Sequence, residues 1–485
     1  VRIRIAMTAL LCGAIFSSPA DAKRLVLRPS APSSALQSFL NADADTLVVL
    51  PKRGGWVTGP LRLTRGARVI VLMPGTEIRA AAGAFSGLSD CLLTLYGVRD
   101  VHVVGYGARL VMRKAEYVDG QWRHALSLMG VQRVTVEGLA MDSSGGDGIY
   151  IDGLRDPSGL LESRQVRVAH VTASANRRQG LSVISAENLL VEHSRFESTS
   201  GHAPMAGIDF EPDHDGQRLV NCRIRNSVFT GNAGPPALID LGRLSERSAP
   251  VSITFEDCLF VASASSSGTL VRAYRGVVTA GLIRFSRSTF RNEQGPTLTL
   301  RASVRGNARI DFESCLFDGR SPSRFLHEAG PLIRLQETRR ADNPSGIVER
   351  ATFTNSHAMT DRRPLIAADP LDAPVARDIL LEMSLDREAA FTKPIPGVRH
   401  ETGSRSSRWP PPPPTLKFVA LRAPNVVANF TTWSQDTVVV WNRARRRTGT
   451  SVTMTARAGD SLLSMACRAG LCSDTLRWVV PGSLR

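Results

Sequence analysis

The chain has 485 residues, 42% of them apolar, and a formal net charge of +16. That length and apolar content can bury a large core. No stretch approaches the roughly 20 apolar residues of a membrane span, and no basic–aromatic motif for nucleic acid accompanies the scattered arginines.

Residues 1–22 read as a secretory signal. Arg2 and Arg4 give a basic start, Ile5 to Phe16 are mostly apolar, and Ala20-Asp-Ala22 is a small-residue cleavage site. Val1 is read as an alternative start codon. Export to the periplasm or beyond is therefore expected, and removal of the segment lowers the charge to +15. A basic exported protein suits an anionic partner such as an acidic polysaccharide. Free use of arginine in a GC-rich genome gives the same excess.

Residues 23–100 are expected to hold an N-terminal cap and the first strands. Ser34 to Leu40 is an amphipathic helix candidate, and short strands follow at Thr46–Leu50, Leu61–Leu63 and Val69–Leu72. Over 101–368 one pattern recurs: apolar, any, apolar, two polar, small, any, Phe. The clearest copies are Ile253–Phe260, Ile283–Phe290 and Ile310–Phe317. Others start at Val101, Val134, Val166, Leu189, Cys222 and Ala351, at steps of 23 to 41 residues. Apolar residues two apart mark strands, and a period of this size marks a repeat architecture.

A second strand precedes each copy, as in Asp147–Asp152, Gln179–Ile184, Ala206–Glu211 and Leu238–Gly242. No connection holds an amphipathic helix of the length a βαβ unit requires. The pattern predicts an all-β fold, a parallel β-helix solenoid. A β-propeller is the second choice, but its blades need about 40–45 residues and four strands each. Stacking predicts an internal ladder of Phe196, Phe229, Phe260, Phe290 and Phe317. Beside it runs a column of small residues: Ser194, Ser227, Cys258, Ser288, Cys315 and Ser356. Cys258 and Cys315 then sit roughly 10 Å apart, two rungs of about 4.8 Å, too far to bond.

Residues 369–416 form an irregular segment ending in the stiff run Trp409-Pro410 to Pro414. Residues 417–485 alternate like a small all-β module, with strands at Phe418–Leu421, Thr437–Trp441, Ser451–Ala456 and Thr475–Val480. Four of the chain's six tryptophans (Trp409, Trp433, Trp441 and Trp478) lie in the linker or this module, and they suit either core packing or stacking on sugar rings. Cys467 and Cys472 are the candidate disulfide.

Alternation along the second strands predicts two outward columns. One runs Ser127, Tyr150, Ser182, Asp209, Asp240, Arg272, Thr299, Arg334. The other runs Met129, Asp152, Ile184, Glu211, Gly242, Tyr274, Arg301, Gln336. Asp209 beside Asp240, with Glu211 along the strand, would raise one carboxyl's pKa and supply an acid and a base. The same three would serve as Ca²⁺ ligands. His202 lies on the loop entering this strand as a further acid, base or ligand. Arg177 and Arg178 on the preceding rung, with Tyr150, Arg272, Tyr274 and Arg301, are the candidate substrate-binding groups. Each also reads as a solvated face.

Gly105–Ala108, Trp122–His124, Val134–Gly138 and Gly146–Ile149 resemble the right-handed parallel β-helix superfamily of pectate lyases, polygalacturonases and bacterial β-helix-repeat proteins. The resemblance covers about residues 35–368 and implies a fold and polysaccharide chemistry. Of the polygalacturonase motifs only Asp147-Gly-Ile149 is present, with Tyr150 where an aspartate belongs, so a standard polygalacturonase is not implied. The expectation is an exported, monomeric carbohydrate-active protein that cleaves an anionic polysaccharide by lyase or hydrolase chemistry. A non-catalytic surface or glycan-binding scaffold is the alternative.

Overall fold

The structure is a computed structural model that describes residues 23–156, 159–263, 266–272, 279–301, 308–320, 330–336, 348–359 and 363–369, and beyond 369 the strands alone. Residues 1–22 and Tyr274 lie outside the described residues.

Each rung of the solenoid contributes a strand to three faces. One rung runs Gln132–Glu137, Ala140–Asp142 and Ile149–Asp152. Like strands pair in parallel with the next rung, so the first two faces join in a 24-stranded sheet and the third forms an 11-stranded sheet. That third sheet runs from Leu61–Leu63 to Ile366–Asp369. The repeat is read out as register. Val101, Val134, Val166, Leu189, Cys222, Ile253, Ile283, Ile310 and Ala351 stand in one column of partners.

The small-residue column has a definite task at the turn between the first two faces. The residue before it takes a left-handed conformation, as at His193, Asn226, Asp257, Arg287, Ser314 and Asn355. This leaves the next N–H pointing along the stack. Ser227 Oγ accepts from Ser194 N at 3.2 Å, Ser288 Oγ from Cys258 N at 3.1 Å and Ser356 Oγ from Cys315 N at 3.2 Å. Each hydroxyl also donates to the carbonyl two residues back, for example Ser227 to Arg225 at 2.9 Å. The buried turn is satisfied rung by rung, as a water-free interior requires. Cys91, Cys222, Cys258 and Cys315 are buried free thiols.

Inside the turn the phenylalanines stack as the pattern requires. Ring centroids are 5.4 Å apart for Phe196–Phe229, 5.2 Å for Phe229–Phe260, and 4.9 Å for both Phe260–Phe290 and Phe290–Phe317. A second ladder, Phe255, Phe285, Phe312 and Phe353, comes from the third position of the pattern, with spacings of 4.9, 5.0 and 4.5 Å. The two ladders meet edge to face, a favourable contact for aromatic quadrupoles.

At the N-terminal end, helix α1 (Ala35–Leu40) buries Leu36 and Leu40 in the core. Its side chains also complete the edge strand Leu61–Leu63. Gln37 accepts from Arg62 N and donates to Arg62 O, both at 2.8 Å, and Asn41 Oδ1 accepts from Thr64 N at 2.9 Å. The amides replace a missing neighbouring strand. At the other end, strands Thr415–Arg422, Asn425–Thr431 and Ser451–Arg457 form a small antiparallel sheet, and Thr437–Trp441 belongs to a second one. Cys467 and Cys472 are paired across a hairpin by backbone register, and their side chains lie outside those described. Among the described residues no helix is long and apolar enough to cross a membrane.

Phe285 sits between two stacked neighbours, so Phe285→Ala should cost about 3–5 kcal/mol in urea denaturation. Val118→Ala, at a side chain 85% exposed, should stay within about 0.5 kcal/mol.

Candidate functional site

Charged groups gather on the outer face of the 11-stranded sheet, and glycine is what brings them there. Gly148 precedes the strand Ile149–Asp152, and Gly180 and Gly207 are the second residues of the strands Gln179–Val183 and Ala206–Phe210. A Cβ at Gly180 would lie 2.5 Å from Gly207 O and 2.9 Å from Phe196 Cβ, and one at Gly207 would lie 2.6 Å from Pro236 O. Only glycine fits these approaches. Around these glycines the two-residue alternation breaks, because Gln179 contacts Asp209 and His124 stacks on Tyr150 on the outer face. His124, Asp147 and Gln179 therefore join Ser127, Tyr150, Ser182 and Asp209.

The register corrects one expectation. Asp209 does not stand beside Asp240; its partner is Leu238, with Ile208 opposite Ala237 and Phe210 opposite Ile239. Asp240 instead pairs with Arg272, and Arg272 with Arg301. Asp240 and Arg272 thus belong to the second column, two residues from where alternation puts them, and Asp240 follows Glu211 there. The physical reason is that a slip of two residues preserves the inward–outward pattern, so alternation cannot detect it. Ala237 takes the inward slot, and outward Leu238 is buried with Ala206 and Leu270 in a small apolar cluster.

Arg178 lies across the floor of this face and is nearly buried. Its Nη2 donates to Glu211 Oε2 at 2.8 Å, and its Nη1 is 3.6 Å from Asp147 Oδ2. Gln179 is fully buried; its Nε2 donates to Asp209 Oδ2 at 2.6 Å, and its Oε1 accepts from Ala206 N at 2.7 Å. His124 Nδ1 accepts from Asp147 N at 3.0 Å, and its ring stacks on Tyr150 with centroids 4.4 Å apart. Tyr150 donates to Asp152 Oδ2 at 3.2 Å, and Gln217 Nε2 to Asp152 Oδ1 at 3.0 Å. Asp240 is held by Arg272 Nε and Nη2 at 2.8 Å.

Burial dominates the electrostatics. It pushes the carboxyls of Asp147 and Asp152 up to about 7 and lowers His124 to about 3. It also raises Asp209, with the charge of Glu211 adding to the effect, and raises Asp240 against the pull of Arg272. Tyr150 is raised, first by burial and then by Asp152. Burial thus holds Asp147, Asp152, Asp209 and Asp240 toward their protonated forms.

The remaining sequence candidates lie apart from this cluster. Arg177 clamps the loop 113–124 by donating to the carbonyls of Gly120 and Val118, the latter at 3.0 Å. His202 is exposed, with Nε2 3.0 Å from Gln121 Oε1 on that loop. Arg301 bonds Gln336 Oε1 at 2.8 and 3.0 Å. Asp209, Glu211 and Asp240, the expected Ca²⁺ set, contact Gln179, Arg178 and Arg272 respectively. Among the described residues no group of three or more His, Cys, Asp or Glu side chains is disposed to hold a metal ion. Sequence reasoning left His124, Asp147, Asp152 and Gln179 out of the site. The recurring Gly one residue after Asp147, Gln179 and Ala206 was the signal for the break in alternation.

The fold is a parallel β-solenoid of the kind seen in solved β-helix structures. The A-module of a mannuronan C-5 epimerase from Azotobacter vinelandii superposes with a TM-score of 0.51 at 12% identity, over 77% of this chain and 95% of that one. A polygalacturonase from Erwinia carotovora ssp. carotovora matches at 0.44 and 10% identity, over 79% and 97%. The pectate lyase Pel9A matches at 0.37 and 10%, over 71% and 73%. At these identities the likeness is one of fold. No protein-family model matches the chain, and no curated protein does.

The raised carboxyls make a signed prediction. Asp147 binds its proton in the folded state up to about pH 7, whereas in the unfolded chain it releases it near pH 4. Its contribution to stability is complete below the unfolded value and is lost as pH rises through about 7. The neutral buried His124, His170 and His193 act in the opposite sense at lower pH. The test is therefore a difference. Relative to Asp147→Asn, the native protein should lose on the order of 1 kcal/mol per pH unit between pH 5 and 7, read from thermal denaturation of both.

Proposed function

We propose that this protein is an exported carbohydrate-active enzyme acting on an anionic polysaccharide laid along the outer face of the 11-stranded sheet. The observation that carries the reading is the pairing of unlike carboxyls on one face. Asp152 is held toward its acid form, while Glu211 is ion-paired with Arg178. Glycosidic hydrolysis needs one carboxyl to protonate the leaving oxygen and another to act as base or nucleophile. Asp152, fixed by Tyr150 and Gln217, suits the acid, and Glu211, with 29% of its side chain exposed, suits the base. Asp240 flanks them.

Beyond the acids the same face turns basic. Arg272 and Arg301 are paired on adjacent rungs, and Arg334 lies one rung further. A row of arginines on one face suits an anionic chain lying along it. Arg177 and His202 contribute by shaping the loop wall. Export rests on the signal-like residues 1–22. The domain reading, with a solenoid over 101–368 after its first turns and a separate module over 417–485, is likewise part of this proposal, as is a monomeric state.

Elimination is the second reading, favoured by the Tyr150 hydroxyl directed at Asp152. In that case Tyr150 would move the proton and an arginine would neutralise the uronate.

The test is product analysis on a panel of acidic polysaccharides. New reducing ends without the ultraviolet absorbance of an unsaturated uronate support hydrolysis, and that absorbance supports elimination. Glu211→Gln and Asp152→Asn should each lower turnover by about 10²–10⁴-fold, and Arg301→Ala should raise KM with little change in kcat. Binding without cleavage would favour the scaffold reading, and full activity in both carboxyl variants would move the site elsewhere.

A further inference from the structure

The floor of the site presents a problem of charge. Asp147, Gln179, Ser182 and Asp209 are fully buried, and Arg178 is nearly so. Three carboxyls, Asp147, Asp209 and Glu211, act on Arg178, the one cation among them. If all three were ionised, two negative charges would be left uncompensated out of water, which costs several kcal/mol each by order of magnitude.

The neighbouring groups do not supply the missing charge. His124 is neutral, because Nδ1 accepts the N–H of Asp147 and its buried ring has no protonated form near neutral pH. Asp147 Oδ2 nevertheless lies 3.2 Å from that same Nδ1. Two lone-pair acceptors at that distance repel, unless the carboxyl carries a proton. The other groups acting on Asp147 are Ser182, Gln179, Tyr150 and Cys91, none of them cationic, and the carboxyls of Glu211 and Asp209. Those acting on Asp209 are Glu211, Arg178, Asp240 and Asp147. Asp240 is itself compensated by Arg272.

Hydrogen bonding gives the same division. Oδ1 of Asp209 and Nε of Arg178 are buried without a hydrogen-bond partner, and Asp147 has only looser contacts from Ser182 and the Gln179 backbone. An ionised carboxylate in that position would be among the most costly groups a protein can bury. A neutral acid, with a hydroxyl to donate, is tolerable. Glu211 differs. It is partly open to solvent and takes the short contact from Arg178 Nη2.

We propose that Arg178 is a positioning residue that holds Glu211 as the single ionised carboxylate of the floor, with Asp147 and Asp209 beneath it as neutral acids. Gln179 has the companion task. It fixes one oxygen of Asp209 and ties down the loop entering that strand through Ala206 N. Adjacent arginines thus divide the work: Arg177 builds the wall and Arg178 sets the charge. The proposal deepens the assignment of Glu211 as base, but the protonation pattern can be read without any substrate.

The experiment is infrared spectroscopy of the full chain in D₂O at neutral pH, following the carbonyl stretch of protonated carboxyls. The native protein should show this band. Asp147→Asn and Asp209→Asn should each remove part of it, and Glu211→Gln should leave it unchanged. Arg178→Met should strengthen it, as Asp147 and Asp209 lose their one cation, and Arg178→Lys should restore the native band if Arg178→Met fails to fold. A native spectrum without the band, or one lost in Glu211→Gln, overturns the proposal. If the band behaves as expected but no polysaccharide is cleaved, the enzymatic reading fails while this assignment stands.

Discussion

The parallel hydrogen-bonded register between rungs is the constraint from which the rest of the molecule follows. Each strand is two to nine residues long and too short to persist alone, so its side chains gain order only from copies of themselves above and below. That is why like stacks on like: Phe on Phe, Ser or Cys on Ser, a left-handed turn residue on another. Stability is spread along the axis, and each rung's contribution depends on both neighbours.

The same register builds the candidate site. Residues far apart in sequence reach one face because they hold equivalent places on successive rungs. His124, Asp147 and Gln179 are brought together by stacking, whereas Arg178 and Glu211 meet because a long side chain crosses the sheet from one strand's entry to another's exit. Burial then differentiates chemically similar groups. Asp147 and Glu211 are both carboxyls, but one is fully buried and the other partly open to solvent.

The fold was legible in the chain because its signals repeat. Nine starts at unequal steps fall in one column, and five phenylalanines named from the pattern stack as expected. The second ladder was present in the same motif, at its third position, where other rungs carry Val or Ile. The site was less legible. Period-two reasoning assigned inward and outward faces correctly around Asp240 but could not fix the register to better than two residues. It also stopped at the glycines, beside which Asp147 and Gln179 turn onto the face. The three-dimensional partners of Arg178 and Arg177 have no sequence signature, since both are arginines on one loop.

The amide side chains of helix α1 have a consequence at the scale of many molecules. A solenoid is a polymer of its own rungs, and a bare terminal strand would accept another chain as readily as its own next turn. Gln37 and Asn41 occupy the donors and acceptors of Arg62 and Thr64 that such an incoming strand would need. On that face the molecule's length is thus set by two carboxamides, which end a stacking process that has no internal reason to stop.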